Sequence, residues 1–220
     1  MRTFLALIVS AGLASAADAT TRLESASEAL KGIMGIPDKT IPQQLLAKAQ
    51  CIIIVPDLLK GGFIIGGKYG KGFASCRKPG GAGWSAPGAV RVEGGSFGLQ
   101  IGAAATDVIM LVMNTTGMNR LLTTKFTLGG EASAAAGPVG RSAQADTDAA
   151  MTAEILTWSR QKGLFAGIVL NGATLREDAD WNREMYGKKL TNREILAGSI
   201  AAPKAAASLL AELNRFSSRK

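Results

Sequence analysis

Between Thr21 and Met34 the apolar residues Leu23, Leu30, Ile33 and Met34 recur at helical spacing, and Gly35 with Pro37 ends the run. A second short helix is predicted from Pro42, burying Leu45, Leu46 and Ala49. From Cys51 onward the period changes. Ile52 to Val55, Phe63 to Ile65, Phe73 to Cys76, Val90 to Val92, Phe97 to Ile101 and Val108 to Met113 are short, β-rich runs separated by Gly, Pro or Asn clusters. Ile155 to Trp158 and Leu164 to Leu170 continue them. Helix returns near the end: Thr191 and Glu194 have capping-box spacing before Ile195 and Leu196, with Gly198 as a stop. Pro203 then opens a helix carrying Leu209, Leu210, Leu213 and Phe216 on one side. The predicted class is α+β, with a curved antiparallel β-sheet or partly closed barrel flanked by N- and C-terminal helices.

The first residues read differently. Arg2, the apolar run Phe4 to Leu13 and the small residues Ala14-Ser15-Ala16 have the form of a cleaved export signal. Residues 1–16 are expected to be removed, leaving 17–220 as a single domain in a periplasmic, membrane-peripheral location. The apolar run Ile101 to Met113 contains Asp107 and is too short to span a bilayer as a helix. With 220 residues, 47% of them hydrophobic, and a mean hydropathy of +0.16, the chain can bury a full core and is neither disordered nor fibrous.

Charge adds a direction. The net charge is +8, and between Asp57 and Glu93 stand Lys60, Lys68, Lys71, Arg77, Lys78 and Arg91 with no acidic residue among them. Glycines and the aromatics Phe63, Tyr69 and Trp84 are interleaved, so the stretch offers a field of one sign to an anionic partner. The same lysines could instead keep hairpin edges soluble and unpaired, and Trp84 reads better as a plug under a turn than as a membrane anchor. An exported protein can also join its two cysteines, Cys51 and Cys76; the alternative is a pair of buried thiols. Two cysteines without a histidine argue against a structural zinc site, and no metal or cofactor is expected.

Catalytic patterns fail on their chemistry. Gly62 to Tyr69 approaches a phosphate-binding loop, but Tyr69 stands where magnesium needs a hydroxyl. Gly94-Gly95-Ser96-Phe97-Gly98 resembles a nucleophile elbow in a chain with no histidine to activate Ser96. Ser75 and Lys78 have Ser-x-x-Lys spacing without its companion motifs. Glu177, Asp178 and Asp180 sit among Arg176, Arg183 and Lys188 and read as a solvated, charge-balanced loop. The chain is read as a non-enzyme.

Seven segments, IPQQLLAKAQCIIIVP, KGGFIIGGKYGKG, GWSAP, GGSFGLQIG, AAGPVGR, SRQKGLFAGIVLNG and NREMYG through EIL, occur in the order and spacing of the SYLF lipid-binding domain family. The resemblance covers about Thr20 to Leu213. It implies a non-enzymatic module: eukaryotic members bind phosphoinositide-containing membranes and some bind and bundle actin filaments, while bacterial members look like exported envelope proteins. Without an SH3 or FYVE domain beside it, and with export expected, actin is set aside. The expected partner is an anionic phospholipid membrane surface such as phosphatidylglycerol or cardiolipin, met by Lys60, Phe63, Lys68, Tyr69, Lys71, Arg77, Lys78, Arg141, Arg160 and Lys162. The alternative is an envelope assembly role in which the same face binds an acidic protein or polysaccharide. Nucleic acid ranks last. Asn182, Tyr186 and Gly187 match the family's pattern and are expected to be structural.

Overall fold

Strand β1 (Cys51–Gly62) runs through the middle of the molecule because Ile52 to Val55 is apolar on both faces, which suits a strand covered on both sides. A computed structural model describes residues 18–36, 40–62, 65–80, 83–97, 102–139, 152–161 and 163–217. The predicted signal segment and the site candidates Phe63, Arg141 and Lys162 lie outside the described residues.

Beside β1 lie β2 (Ile65–Cys76) and β4 (Gly102–Val112), both antiparallel to it. β3 (Gly88–Phe97) and the short β5 (Lys125–Thr127), β6 (Ala134–Ala136), β7 (Ile155–Gln161), β8 (Leu164–Gly167) and β9 (Thr174–Glu177) complete the sheet. The order is β5-β9-β3-β2-β1-β4-β7-β6, with β8 paired to β7. Among the described residues every strand pairing is antiparallel except β6 with β7, so the strongly curled sheet is mixed and forms a half-barrel within an α+β fold.

Helices cover its outer side. α1 (Ala19–Met34) buries Leu23, Leu30 and Ile33 together with Ile52, Ile54, Phe73, Ile109 and Trp158 of the sheet. The last helix joins the same core through Leu209 and Leu213. The inner side holds a second core of Ile53, Val55, Leu58, Val90, Val92, Val108, Met110 and Leu175. Alternate residues of each long strand therefore feed two different cores.

The remaining helices are α2 (Gln43–Lys48), α3 (Thr115–Leu121), α4 (Ala179–Tyr186), α5 (Asn192–Leu196) and α6 (Ala207–Phe216). The capping box at α5 forms as its spacing predicts: Thr191 Oγ1 accepts from the Glu194 amide and Glu194 accepts from the Thr191 amide. The Thr191 amide and hydroxyl, both donating to Glu194 Oε2, hold that carboxyl below its ordinary pKa. α3 and α4 are absent from the sequence expectation. Each is capped by a side chain that in isolation signals a turn: Asn114 Oδ1 accepts from Gly117 N, and Asp178 Oδ1 from Trp181 N.

One extra residue in β1 shapes the site. Ile54 pairs with Phe73 but Leu59 pairs with Tyr69, so a bulge falls between them, and the shift recurs against β4 between Val55 and Leu58. Asp57 within it has φ +48, a conformation that a non-glycine residue keeps only where its surroundings hold it. Arg22 of α1 does so by donating to Pro56 O at 3.2 Å and Asp57 Oδ2 at 3.1 Å, while the Asp57 amide donates to Asp107 Oδ1 at 3.2 Å. Leu58 consequently turns into the inner core and Leu59 turns out to solvent at 54% exposure.

At the opposite end of the same hairpin Cys51 and Cys76 stand directly across from each other and form a disulfide. With a sequence separation of 25, chain-entropy reasoning assigns the bridge about 3 kcal/mol. The double variant Cys51→Ala/Cys76→Ala is expected to lose that much in urea unfolding, and a loss under about 1 kcal/mol would contradict the assignment.

Candidate functional site

The six cations of the acid-free stretch divide into two groups. Lys71, Arg77 and Arg91 are engaged within the fold. Lys71 Nζ lies 2.9 Å from Asp178 Oδ2 and 4.3 Å from the centre of the Trp181 ring, so it ties β2 to the N-terminus of α4. The Arg77 guanidinium sits 4.1 Å over Trp84 and donates to the carbonyls of Leu46 and Ser217 at 3.1 and 2.6 Å. Trp84 is the buried plug its context suggests, donating from Nε1 to Ser217 Oγ at 2.9 Å. Arg91 pairs with Glu93, which also takes Arg176 at 3.3 Å.

Arg160 behaves similarly. Its Nε and Nη2 donate to Asp107 Oδ2 at 3.1 and 2.7 Å across the β4–β7 pair. Its guanidinium also packs on Gly32 of α1 so closely that a Cβ there would fall 1.9 Å from Nη1. Arg160 thus anchors α1 to the sheet.

Lys60, Lys68 and Lys78 form the second group. Lys60 and Lys68 are cross-strand partners in β1 and β2, on the side of the sheet that carries Leu58 and Ala74 of the inner core. Like charges directly opposite oppose pairing. Burial first, and Lys68 second, push the Lys60 pKa below its ordinary value. The protonated form is therefore disfavoured by folding, a cost that is relieved as pH rises through the depressed value. An acidic group brought against the pair would reverse the shift. Lys78 is exposed at the far end of β2.

On the other face of the same ribbon the bulge presents Leu59, and Tyr69 stands directly opposite it at 45% exposure. Beside them Arg22, Asp57, Lys71 and Trp181 enclose a cavity of about 180 Å³. The ribbon end between Leu59 and Tyr69 therefore carries an apolar pair on one face and a lysine pair on the other. Sequence reasoning found Lys60, Lys68 and Tyr69 but missed Leu59, whose exposure follows from the bulge. Pro56-Asp57 inside an apolar run was the available signal.

The catalytic-looking patterns acquire structural roles where they are described. Ser75 is 2% exposed and donates to Ser85 O at 2.7 Å. Asp178 caps α4 and pairs with Lys71, and Glu177 accepts from the Asn192 amide at 2.6 Å. Asn182 is fully buried: its Oδ1 accepts from Ala89 N at 2.8 Å, and its Nδ2 donates to Asn192 Oδ1 at 2.9 Å and Leu190 O at 3.3 Å. The Tyr186 hydroxyl donates to Pro87 O at 2.7 Å, and burial pushes its pKa up. Gly187 closes α4 at φ +66.

In the helix-flanked half-barrel the polar side chains named above serve caps and clamps, and the sheet end that carries Leu59 and Tyr69 is left in solvent. The profile of the family described as "Ysc84: Las17-binding protein actin regulator" matches residues 93–216, and the chain belongs to that family, the one marked by the SYLF resemblance. It is 37% identical over 179 residues to the SH3 domain-containing protein PJ696.02 of Schizosaccharomyces pombe, covering 80% of this chain and 41% of the relative. It is 35% identical over 185 residues to the SH3 domain-containing YSC84-like protein 1 of Xenopus laevis, covering 83% and 55%. Protein YSC84 of Saccharomyces cerevisiae is 35% identical over 178 residues, covering 79% and 37%. The chain spans about half the length, or less, of these curated relatives. The family is one of binding and regulatory proteins.

These findings correct the partner expectation. A phospholipid surface with actin set aside does not fit relatives whose descriptions name Las17 binding, actin regulation and SH3 domains, all of which point to proteins. The physical reason lies in the pairing above. Lys71, Arg77, Arg91 and Arg160 do not form a bare cationic array, because carboxylates, carbonyls and a tryptophan face already hold them.

Proposed function

We propose that this chain is a non-catalytic protein-binding module of the actin-regulator class, docking an acidic protein surface on the ribbon end formed by Leu59, Lys60, Lys68 and Tyr69. The observation that carries this reading is the exposed Leu59–Tyr69 pair, set there by a strained bulge and backed by two lysines that the fold leaves opposed. Leu59 and Tyr69 supply the apolar anchor and the lysines a charged flank on the opposite face of the sheet end, so the partner reaches around that end to meet both. The lysines steer the encounter, and a partner carboxylate restores the protonation of Lys60, so binding takes up a proton in the alkaline window between its depressed and ordinary values.

Co-sedimentation with actin filaments, together with binding to an immobilised Las17-type protein, tests the reading. Binding to at least one is expected, weakening with salt. Leu59→Asp with Tyr69→Ala is expected to weaken it about tenfold or more, and Lys60→Gln with Lys68→Gln to flatten the salt dependence at unchanged or higher thermal stability. Failure to bind either protein, unchanged binding by the Leu59/Tyr69 variant, or attachment to anionic vesicles alone would overturn it.

A further inference from the structure

A second cavity, of about 520 Å³, opens at the disulfide end of the sheet. Tyr69 and Cys76 are seven residues apart on β2, so roughly 23 Å of strand separates this cavity from the ribbon end. Its floor and wall are apolar: Cys76 and Leu196 are 2% and 4% exposed, and Met118 and Leu122, half-buried residues of and just beyond α3, face the same space. Its charged lining is of one sign. Lys78 and Arg193 are both exposed there, no ion pair holds either among the described residues, and no acidic side chain among those residues lines the cavity. Arg77 also borders it, but its guanidinium is turned away onto Trp84 and the Leu46 and Ser217 carbonyls.

The walls are held in place. Gly198, at φ +90 just beyond α5, lies so close to Pro79 and Lys78 that a Cβ would fall 3.2 Å from Pro79 Cδ. The end of α5 is thereby seated against the segment that follows β2. On the other side the Gln50 amide donates to Val112 O, and Gln50 O accepts from Arg77 N, both at 2.8 Å. The volume falls within the range of pockets that enclose small molecules, and an apolar enclosure with a few convergent polar groups is their usual composition.

We infer that this cavity binds a small aliphatic carboxylate, its alkyl body against Met118, Leu122 and Leu196 and its carboxylate between Lys78 and Arg193. The two cations exclude a neutral hydrocarbon as the preferred ligand, and the apolar floor excludes a small inorganic anion. This site is independent of the protein-docking reading, because none of its residues belongs to the ribbon end.

Calorimetric titration of the full chain with hexanoate, octanoate, octanol and inorganic phosphate tests it, with the methyl resonance of Met118 as a local reporter assigned through Met118→Leu. Each buried methylene is expected to tighten binding about fourfold, so octanoate should exceed hexanoate by roughly sixteenfold. Octanol should bind about tenfold or more weakly than octanoate, having no charge to meet the cations. Lys78→Glu with Arg193→Glu should cost about tenfold or more at unchanged thermal stability, and the Leu59→Asp/Tyr69→Ala variant should bind octanoate like the parent. Octanol or phosphate binding as tightly as octanoate, a charge-reversed variant that binds normally, or an unmoved Met118 signal would each overturn the assignment.

Discussion

Gly72→Ala is expected to cost about 4 kcal/mol or more in urea unfolding, enough to leave little folded protein. A Cβ at Gly72 would fall 2.0 Å from Ile54 O and 2.7 Å from Val55 Cα. Both are backbone atoms of the central strand, beside the bulge, so no side chain can swing away to make room. Relieving the overlap means separating β1 from β2, which undoes the pairing of Ile54 with Phe73 and opens both cores at once. Gly61→Ala is the control, since no atom lies within 4 Å of a Cβ there, and a change within about 0.5 kcal/mol is expected. Equal losses at the two positions would show that close approach does not set the effect, since relief of glycine entropy alone would make both substitutions stabilising.

Asn182→Ala should be nearly as damaging, by about 3 to 5 kcal/mol, because it leaves three buried groups without partners rather than one. The Ala89 amide, the Leu190 carbonyl and Asn192 Oδ1 all rely on this one amide. Asn192 in turn donates from Nδ2 to Ala89 O at 3.0 Å, so the network fastens α4 and α5 to the start of β3. Asn182→Asp keeps the acceptor for Ala89 N but removes both donors and buries a charge. It is expected to destabilise as much at neutral pH and to recover part of the loss in acid, where the carboxyl is protonated and can donate. Thermal unfolding across pH distinguishes the two variants; parallel profiles would contradict the network.

The class of fold was legible in the chain because its determinants are local. Ile52 to Val55 announces a strand buried on both faces, the Thr191–Glu194 spacing announces a helix start, and the glycine-rich breaks announce a curled sheet. Helices α3 and α4 were not legible, since a short helix behind Asn114 or Asp178 has too few turns to show a period. The site was legible only in part, for a different reason. Lys71 reads as a free cation until Asp178, distant in sequence, is folded against it, and the same holds for Arg77 with Ser217 and Arg160 with Asp107. A charge count along the chain records the cations but not the remote groups that occupy them. Leu59 fails in the opposite sense: its neighbours suggest a buried residue, and one bulged position reverses its side.

The Asp57 bulge gives the hairpin two separable halves. Upstream, the disulfide and the Cys51–Ile54 register lock the base of β1 to β2. Downstream, the bulge takes up one inserted residue so that Leu59 keeps the face of Ile54. Deleting one amino acid at that point would leave a regular ladder, with Leu59 still opposite Tyr69 and still on the face of Ile54. A codon gained or lost there is absorbed within about three or four residues, and the outward face of the tip passes through the change intact.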